Sequence, residues 1–568
     1  MLIKGIAASK GIAIAKVFKI EELPLDITQK TSNKDEELKL YDNARELVKT
    51  KIQASAKLAS SSEHAAIFEA HLNFLEDPSA LEAIRNDINI NSYTAEYATK
   101  SFYNNFAAIF ESMDDAYMKE RAADIRDVCK KLLYALNNIE ETDLTQISEE
   151  VIIVAEDLSP SQTVQLNKKY VKGFVTNIGG PTSHTAIMAR SLGIPSVVGT
   201  NSIMKHAQNG QLLALDGTKG EVLLNPSEAE IAEFKKQEQL YRDYLNKLKE
   251  LKGKKSITTD GHEIEIEGNI GTPNDVESVL ENDAQGIGLF RSEFLYMDNE
   301  NWPTEDEQFL AYKKVIEQMN NQRVVIRTLD IGGDKTLKYY KFPEELNPFL
   351  GFRAIRFCLQ NEDVFKTQLK ALIRASEFGR VSVMFPMITT LDEFLRAKNT
   401  FEECYKEVSS ANPKVAKRED IELGLMIETP AAAVLTEQFC KYADFVSIGT
   451  NDLIQYSMAS DRMNENVSYL YQPLNPSILK LVKMTIDGAH KYGKWAGMCG
   501  EMAGDKRAFM ILLGLGLDKF SMSASSVLSI RDLVRNTTFA RAKEIANHAL
   551  SLETETQVLE YLKSENLL

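Results

Sequence analysis

From about residue 256 onward the chain repeats one unit eight times. Each is an apolar run, usually ending in a polar or charged residue and followed by helically spaced apolar positions. The runs fall at 262–270, 285–291, 323–331, 381–388, 421–428, 443–450, 494–499 and 518–523. Short apolar runs alternating with helices are the mark of a parallel sheet buried on both faces. Eight such units in roughly 250–300 residues predict a closed (β/α)8 TIM barrel. In that fold the C-terminal ends of the strands converge on one mouth, so the residues there are the first candidates for a site.

Those ends are rich in charge. They read Leu289-Phe290-Arg291-Ser292-Glu293, Ile326-Arg327-Thr328-Leu329-Asp330-Ile331-Gly332-Gly333-Asp334-Lys335, Met426-Ile427-Glu428-Thr429 and Ile448-Gly449-Thr450-Asn451-Asp452, with Arg462 soon after. Gly497-Met498-Cys499-Gly500-Glu501 and Phe520-Ser521-Met522-Ser523 complete the set. Three arginines gathered at one mouth are costly unless an anion lies between them, and arginine grips phosphate and carboxylate through a planar fork. Glu428 and Asp452 offer the hard oxygens that Mg²⁺ takes, commonly one or two carboxylates plus substrate oxygens. A single charged residue of this kind reads as a surface ion-pair partner; the repetition at successive ends favours a site.

The first half is organised differently. Residues 2–20 read as one or two strands, and from about 33 to 143 the pattern is helical. Leu40, Ala44, Leu47, Val48 and Ile52 share one face, Phe102, Phe106, Ile109 and Phe110 begin another, and Ile125, Val128, Leu132, Leu133 and Leu136 a third. Short connections predict antiparallel helices. Strand signals return at Val151-Ile152-Ile153-Val154-Ala155, so the helical block reads as a bundle inserted into an α/β domain. His64 and His71 within it read as surface or packing residues, since neither has a partner at metal-ligand spacing.

A second strand, Gly173-Phe174-Val175-Thr176, leads into Gly179-Gly180-Pro181-Thr182-Ser183-His184-Thr185-Ala186-Ile187-Met188-Ala189-Arg190. Two glycines permit a tight turn, and His184 falls at the start of a helix, where free N–H groups and the dipole favour a negative group. An imidazole there is a candidate covalent carrier of a phosphoryl group. A structural histidine beside an N-cap is the commoner meaning of a bare Gly-Gly…His pattern. Val197-Val198-Gly199 and Leu212 to Gly217 read as further strands and turns. Ser227-Glu228-Ala229-Glu230 is a capping box. It opens a long helix with Ile231, Phe234, Tyr241, Leu245, Leu248 and Leu251 on one side, ending at Gly253. That helix reads equally as a connector or as a plain surface helix. The expected boundaries are 1–32 with 144–226 for the α/β domain, 33–143 for the bundle, 227–255 for the connector and 256–568 for the barrel.

With a net charge of −16 and a pI near 5.2, nucleic acid and acidic membranes are poor partners and a basic protein is a suitable one. Five cysteines, 129, 358, 404, 440 and 499, show no CxxC spacing and read as reduced thiols of a cytoplasmic protein. Lys4, Lys10 and Lys16 interrupt the apolar start, so no signal peptide is expected there. No uncharged apolar run approaches the roughly 18 residues of a membrane span.

The full string from Gly179 to Arg190, followed by Gly193-Ile194-Pro195-Ser196-Val197-Val198-Gly199, resembles the phosphohistidine segment of the PEP-utilising enzymes. Together with the strand-end strings, the chain resembles enzyme I of the bacterial sugar phosphotransferase system along essentially its whole length. The resemblance implies transfer of a phosphoryl group from phosphoenolpyruvate to His184 and on to a histidine of the phosphocarrier HPr, releasing pyruvate, as the first step of sugar uptake. It implies Arg291, Arg327, Asn451, Asp452 and Arg462 as phosphoenolpyruvate ligands, with Lys335 and Arg353 beside them. Glu428 and Asp452 would hold Mg²⁺, Cys499 would donate a proton, and Thr163 would orient the histidine. It also implies HPr docking on the helical block and a homodimer formed through the barrel. Three positions depart from the pattern: Pro181 stands where a basic residue is common, Phe352 replaces a tryptophan, and Asn299 replaces a basic residue.

Two other readings stay open on sequence. A pyruvate phosphate dikinase or phosphoenolpyruvate synthase shares these strings but needs a large nucleotide-binding domain, and only 183 residues precede His184. A signalling protein could keep the fold and work through its phosphorylation state, although an intact His184, Arg291, Arg327, Glu428, Asp452 and Cys499 argues for catalysis.

Overall fold

The computed structural model describes the chain apart from residues 22–24, 26, 58–61, 113–115, 165, 168, 181, 182, 298, 334, 336 and 463. The side chains of 57, 62–66, 112, 116–120, 164, 184, 187, 191 and 465 also lie outside the description. The readings of Pro181, the His64 side chain and the His184 side chain fall on these residues. The chain divides into two compact units, Met1–Leu245 and Asn246–Leu568.

In the first unit the described residues form an eight-stranded sheet: β1 (Leu2–Lys4), β2 (Ile6–Ser9), β3 (Ile12–Lys19), β4 (Val151–Ala155), β5 (Val171–Thr176), β6 (Ser196–Val198), β7 (Leu212–Asp216) and β8 (Glu221–Leu224). The spatial order is β1-β8-β7-β3-β4-β5-β6-β2. Strands β3 to β6 run parallel, with antiparallel strands closing both sides. The opening stretch makes three strands rather than one or two, because Gly5 and Gly11 break it and send β1 and β2 to opposite edges of the sheet. Strand β8 escaped the sequence reading; it is only four residues long and pairs back on β7 across a tight turn.

Between β3 and β4 lie helices α1 (Lys34–Lys57), α2 (Ser62–Leu75), α3 (Pro78–Asn89), α4 (Ala95–Ser112) and α5 (Ala116–Leu136). Tyr41, Ala44, Val48 and Ile52 of α1 face Ile84, Tyr103, Ile125 and Leu132 in the bundle core. Leu40, Leu47 and Ile109, expected on buried faces, are exposed. The true stripe of α1 starts at Tyr41, whose aromatic body fills the position the leucines were expected to take. Three further helices follow: α6 (Pro160–Val164), α7 (His184–Leu192) and α8 (Ile203–His206). Helix α9 (Glu228–Lys249) opens with the expected capping box. The Ser227 N–H donates to Glu230 Oε2 at 2.8 Å, and the Glu230 N–H donates to Ser227 Oγ at 3.4 Å.

The second unit is a closed barrel of eight strands, all parallel: β9 (Glu265–Ile270), β10 (Gly286–Arg291), β11 (Arg323–Arg327), β12 (Val381–Phe385), β13 (Glu422–Ile427), β14 (Phe445–Ile448), β15 (Trp495–Met498) and β16 (Lys519–Met522). Each expected run contains one of them. The run 323–331 is strand only to Arg327; the rest is loop. Side chains alternate along a strand, so Arg323, Val325 and Arg327 of β11 all point into the barrel. Arg323 lies at the floor and Arg327 at the mouth. Between them Leu289, Val325, Met384, Met426 and Phe445 form an apolar layer with Cys499. Among the described residues no helix is long and apolar enough to cross a membrane.

Candidate functional site

Residues of five strand ends and one long loop come together at the barrel mouth. Arg327, at the end of β11, is buried and sits between two carboxylates. Its Nη2 pairs with Glu293 in the loop after β10, and its Nη1 lies 3.1 Å from Asp330 Oδ2. Lys335 bridges the same two acids, 3.5 Å from Glu293 Oε1 and 3.4 Å from Asp330 Oδ2. Arg353 closes the chain of charges at 2.9 Å from Asp330 Oδ1 and 3.5 Å from Asp452 Oδ2. Its Nη1 also donates to Tyr456 OH at 3.2 Å. Arg462 Nη1 stands 3.7 Å from Asp452 Oδ1.

Each acid takes its protonation state from this array. Burial pushes Glu293 and Asp330 up, but the cations outweigh it. Arg327 and Lys335 hold Glu293 below the usual carboxylate range, and Arg353, Lys335 and Arg327 hold Asp330 well below it. Glu428, at the end of β13, goes the other way. Burial, then Asp452 and Asp330, push it up to about 8 despite Arg327 and Arg353. It accepts the Met387 N–H at 2.5 Å.

Several polar atoms here are buried without a hydrogen-bond partner: Arg327 Nε, Arg353 Nε, Thr450 Oγ1 and Asp452 Oδ1. Buried polar groups are nearly always partnered, so such a concentration marks groups arranged for something outside the chain. Arg291, at the end of β10, is exposed. Asn451 accepts from Tyr471 OH at 3.1 Å and donates to Glu501 Oε1 at 3.4 Å. Cys499 follows β15, with its backbone N–H donating to Ile448 O at 3.1 Å and its thiol 3.8 Å from the same oxygen. Burial pushes that thiol up and keeps it protonated; the Ser447 hydroxyl and the charge of Arg327 pull it down only in part. Gly500 makes this approach possible, since a Cβ there would stand 1.9 Å from Thr450 Oγ1. The other cysteines, 129, 358, 404 and 440, are free and buried, and burial raises each of their thiols.

The mouth therefore gathers Arg291, Arg327, Lys335, Arg353, Glu428, Asn451, Asp452, Arg462 and Cys499, all of them singled out in the sequence. Glu293 and Asp330 had been given no role, although each belongs to a quoted strand-end string. The signal was available: an acid two or three residues beyond each of two inward arginines.

The remaining two candidates lie in the first unit. Helix α7 begins at His184. Ser183 caps it, accepting the Ala186 N–H at 3.3 Å, and Gly193 ends it in the left-handed conformation at φ 63°. Gly179, at φ 115°, makes the preceding turn. Thr185 Oγ1 fastens the first turn of α7 to Asp157 Oδ1 at 2.7 Å. Thr163 is buried in α6, and its hydroxyl donates to Pro160 O at 2.8 Å.

Comparison with known proteins covers both units. Three family models match: PEP-utilising enzyme, N-terminal, over residues 4–121; PEP-utilising enzyme, mobile domain, over 147–220; and PEP-utilising enzyme, PEP-binding domain, over 245–539. The phosphoenolpyruvate-protein phosphotransferase of Staphylococcus carnosus is 51% identical over 99% of this chain and 98% of its own. Those of Mycoplasma capricolum and Priestia megaterium are 52% and 51% identical, over 98% and 99% of this chain and 97% and 98% of their own. With three successive family models and full-length relatives at half identity, the chain belongs to the PEP-utilising enzymes.

Proposed function

We propose that the chain is a phosphoenolpyruvate–protein phosphotransferase that phosphorylates its own His184 from phosphoenolpyruvate at the barrel mouth and passes the group to a histidine of HPr. The observation that carries this is the charge at the mouth. Five cations, Arg291, Arg327, Lys335, Arg353 and Arg462, stand against four carboxylates, Glu293, Asp330, Glu428 and Asp452. With Glu428 largely protonated at neutral pH the cations are in excess, and the phosphate and carboxylate of phosphoenolpyruvate, about three negative charges together, would offset most of that excess and the charge of a divalent cation.

The residues present fit Mg²⁺. Asp452 Oδ1 is buried without a hydrogen-bond partner, and Glu428 is an acid that burial leaves short of counter-charge. Among the described residues no cluster of three or more His, Cys, Asp or Glu could hold a metal alone. A two-carboxylate site completed by substrate oxygens suits Mg²⁺. Glu428 and Asp452 would hold the ion, which would neutralise part of the charge that develops on the substrate.

The chain's own groups do the rest. The arginines and Lys335 bind and orient the substrate and meet the charge that spreads over the phosphoryl oxygens in transfer. A bond forms between an imidazole nitrogen of His184 and phosphorus as the bond from phosphorus to the enolate oxygen breaks. The Cys499 thiol, protonated at neutral pH, gives its proton to the terminal carbon of the enolate, and the thiolate recovers a proton from water. Phosphohistidine then passes its phosphoryl group to HPr, docked on the helical bundle. Its free thiols suit a reducing cytoplasm. By likeness to enzyme I, the barrels pair into a homodimer.

The test is label transfer from radiolabelled phosphoenolpyruvate with Mg²⁺ and no nucleotide. Acid-labile label on the wild type, absent from His184→Ala and removed by HPr, is the expected result. Label released only to AMP, or to ADP with phosphate, would assign the chain to the dikinase or synthase class instead. A folded wild type that takes no label would remove the catalytic reading.

A further inference from the structure

One buried polar network in the first unit has no part in the chemistry above. His71 of α2 is fully buried, with Nε2 3.1 Å from Asp124 Oδ1 and 3.8 Å from Asp127 Oδ2, both on α5. Asp127 is buried too, and Lys131 stands 3.5 Å from its Oδ1. Burial pushes the Asp127 carboxyl up, but Lys131, His71 and Ser161 hold it at about 2, so it stays charged. A buried charge of this sort is costly and needs several partners. One of them lies outside the bundle: the Ser161 N–H, in the first turn of α6, donates to Asp127 Oδ2 at 3.2 Å.

Helix α6 packs against α2 and α5 on one side and α7 on the other. The loop that leads into it reaches the nucleophile's helix directly. Thr185, next to His184, donates its hydroxyl to Asp157 Oδ1 at 2.7 Å and reaches Leu158 O at 3.2 Å. Ser159 holds the turn between them, its N–H donating to Gln162 Oε1 at 3.0 Å. A continuous path therefore runs from His71 and Asp127 through Ser161 and the 157–159 loop to Thr185. So short a helix is not stable by itself, and α6 takes its register from its packing against α2, α5 and α7 together with the Ser161–Asp127 hydrogen bond.

We propose that Asp127, held by His71 and Lys131, is a positioning residue for phosphoryl transfer at His184: it seats α6 on the helical bundle, and α6 with its lead-in loop sets where α7 begins. The inference rests on the reading of His184 as the phosphoryl carrier. Transfer in line tolerates little displacement, and a shift near 1 Å can cost about a hundredfold in rate. Asp127 acts through α6.

The test uses the full chain with Asp127→Ala, Asp127→Asn and Ser161→Ala. Each is measured for label uptake from phosphoenolpyruvate, label transfer to HPr, phosphoenolpyruvate affinity and the ring-nitrogen NMR shifts of His184. Asp127→Ala is expected to slow both transfer steps about tenfold or more and to move the His184 ring signals, with phosphoenolpyruvate affinity unchanged. Asp127→Asn keeps an acceptor for the Ser161 N–H and is expected to stay within about threefold of wild type. Ser161→Ala keeps the N–H that Asp127 accepts and is expected to stay within about threefold of wild type as well; a fourth variant, Asp127→Ser, is too short to reach that N–H and is expected to be as slow as the alanine one, so the test stands even if the alanine at 127 unfolds the bundle. Unchanged transfer in every folded variant overturns the proposal, as does an asparagine variant as slow as the alanine one. Failure of the wild type itself to take label would instead sink the parent reading.

Discussion

At the floor of the barrel Arg323 and Lys519 meet Glu265, Glu267 and Glu422; at the mouth Arg327, Lys335 and Arg353 meet Glu293, Asp330 and Asp452. The two ends use the same kinds of charged group, and β11 supplies an arginine to each. At the floor Arg323 lies 3.0 Å from Glu422 and 3.2 Å from Glu265, and Lys519 pairs with Glu265. Trp495 fills the space between, stacked on Phe445 at 4.3 Å, with Arg323 and Lys519 both over its ring. Its indole N–H donates to Glu422 at 3.2 Å. The cations there are used up within the chain. Among these five charged residues the orphan is Glu267 Oε1, and burial pushes that acid up to about 7, so a proton can satisfy it. The orphans at the mouth include two arginine nitrogens, and arginine cannot be satisfied by losing its charge. Cations that are complete make a brace, whereas cations left incomplete are open to a ligand.

Changes at the two ends should therefore fail in different ways. The largest effect is expected at the mouth, where Arg327→Met should cut phosphoenolpyruvate turnover by about a thousandfold or more. Arg327→Lys should rescue little, because a point charge cannot reach Glu293, Asp330 and a substrate at once. Steady-state pyruvate formation measures both. Cys499→Ala should lower pyruvate formation by about 10²–10³-fold while moving the thermal midpoint little; normal turnover in that variant would remove the proton-donor role. At the floor, Arg323→Met should cost about 2–3 kcal/mol of stability in urea titration, less than a fully buried pair because Glu265 is 44% and Glu422 27% exposed. Phosphoenolpyruvate affinity should not change. An equal loss of affinity there would erase the distinction between the ends.

The smallest effect concerns pH. Glu267 has its folded-state pKa raised from 4.5 to about 7, chiefly by burial. Its proton stabilises the fold fully below about pH 4.5, and that contribution is lost as pH rises through about 7. Glu267→Gln should therefore stabilise the protein by on the order of 1 kcal/mol at pH 8.5 and by almost nothing at pH 5. A pH-independent difference in thermal midpoint would show that Glu267 stays charged on the floor.

Much of this contrast could be read from local sequence at the mouth and little of it at the floor. The eight barrel strands announce themselves because each is a short apolar run before a helix. Arg291, Arg327, Glu428, Asp452 and Cys499 stand out because each breaks or ends such a run. The floor residues also lie at strand starts, but their meaning is in pairs far apart in the chain. Arg323 and Glu422 are 99 residues apart and Lys519 and Glu265 are 254 apart, so nothing local joins them. Glu293 and Asp330 went unassigned for a related reason, since an acid next to an arginine is ordinary until the barrel turns both inward. His71 was read as a surface or packing residue because no metal-ligand spacing surrounds it, whereas its partners Asp124 and Asp127 are 53 and 56 residues away on another helix. Amphipathic stripes misled by one position in α1, where Leu40 and Leu47 are exposed and Tyr41 is buried.

The most direct test of the mouth as a substrate site is calorimetric titration of full-length His184→Ala with phosphoenolpyruvate, with and without Mg²⁺, beside the same chain also carrying Arg327→Met or Glu428→Gln. If the mouth binds as proposed, His184→Ala takes phosphoenolpyruvate with Mg²⁺ and much less without it, and each added change weakens binding by about tenfold or more. Equal binding by all three chains, or binding indifferent to Mg²⁺, would contradict it and leave the cations of the mouth in need of another ligand.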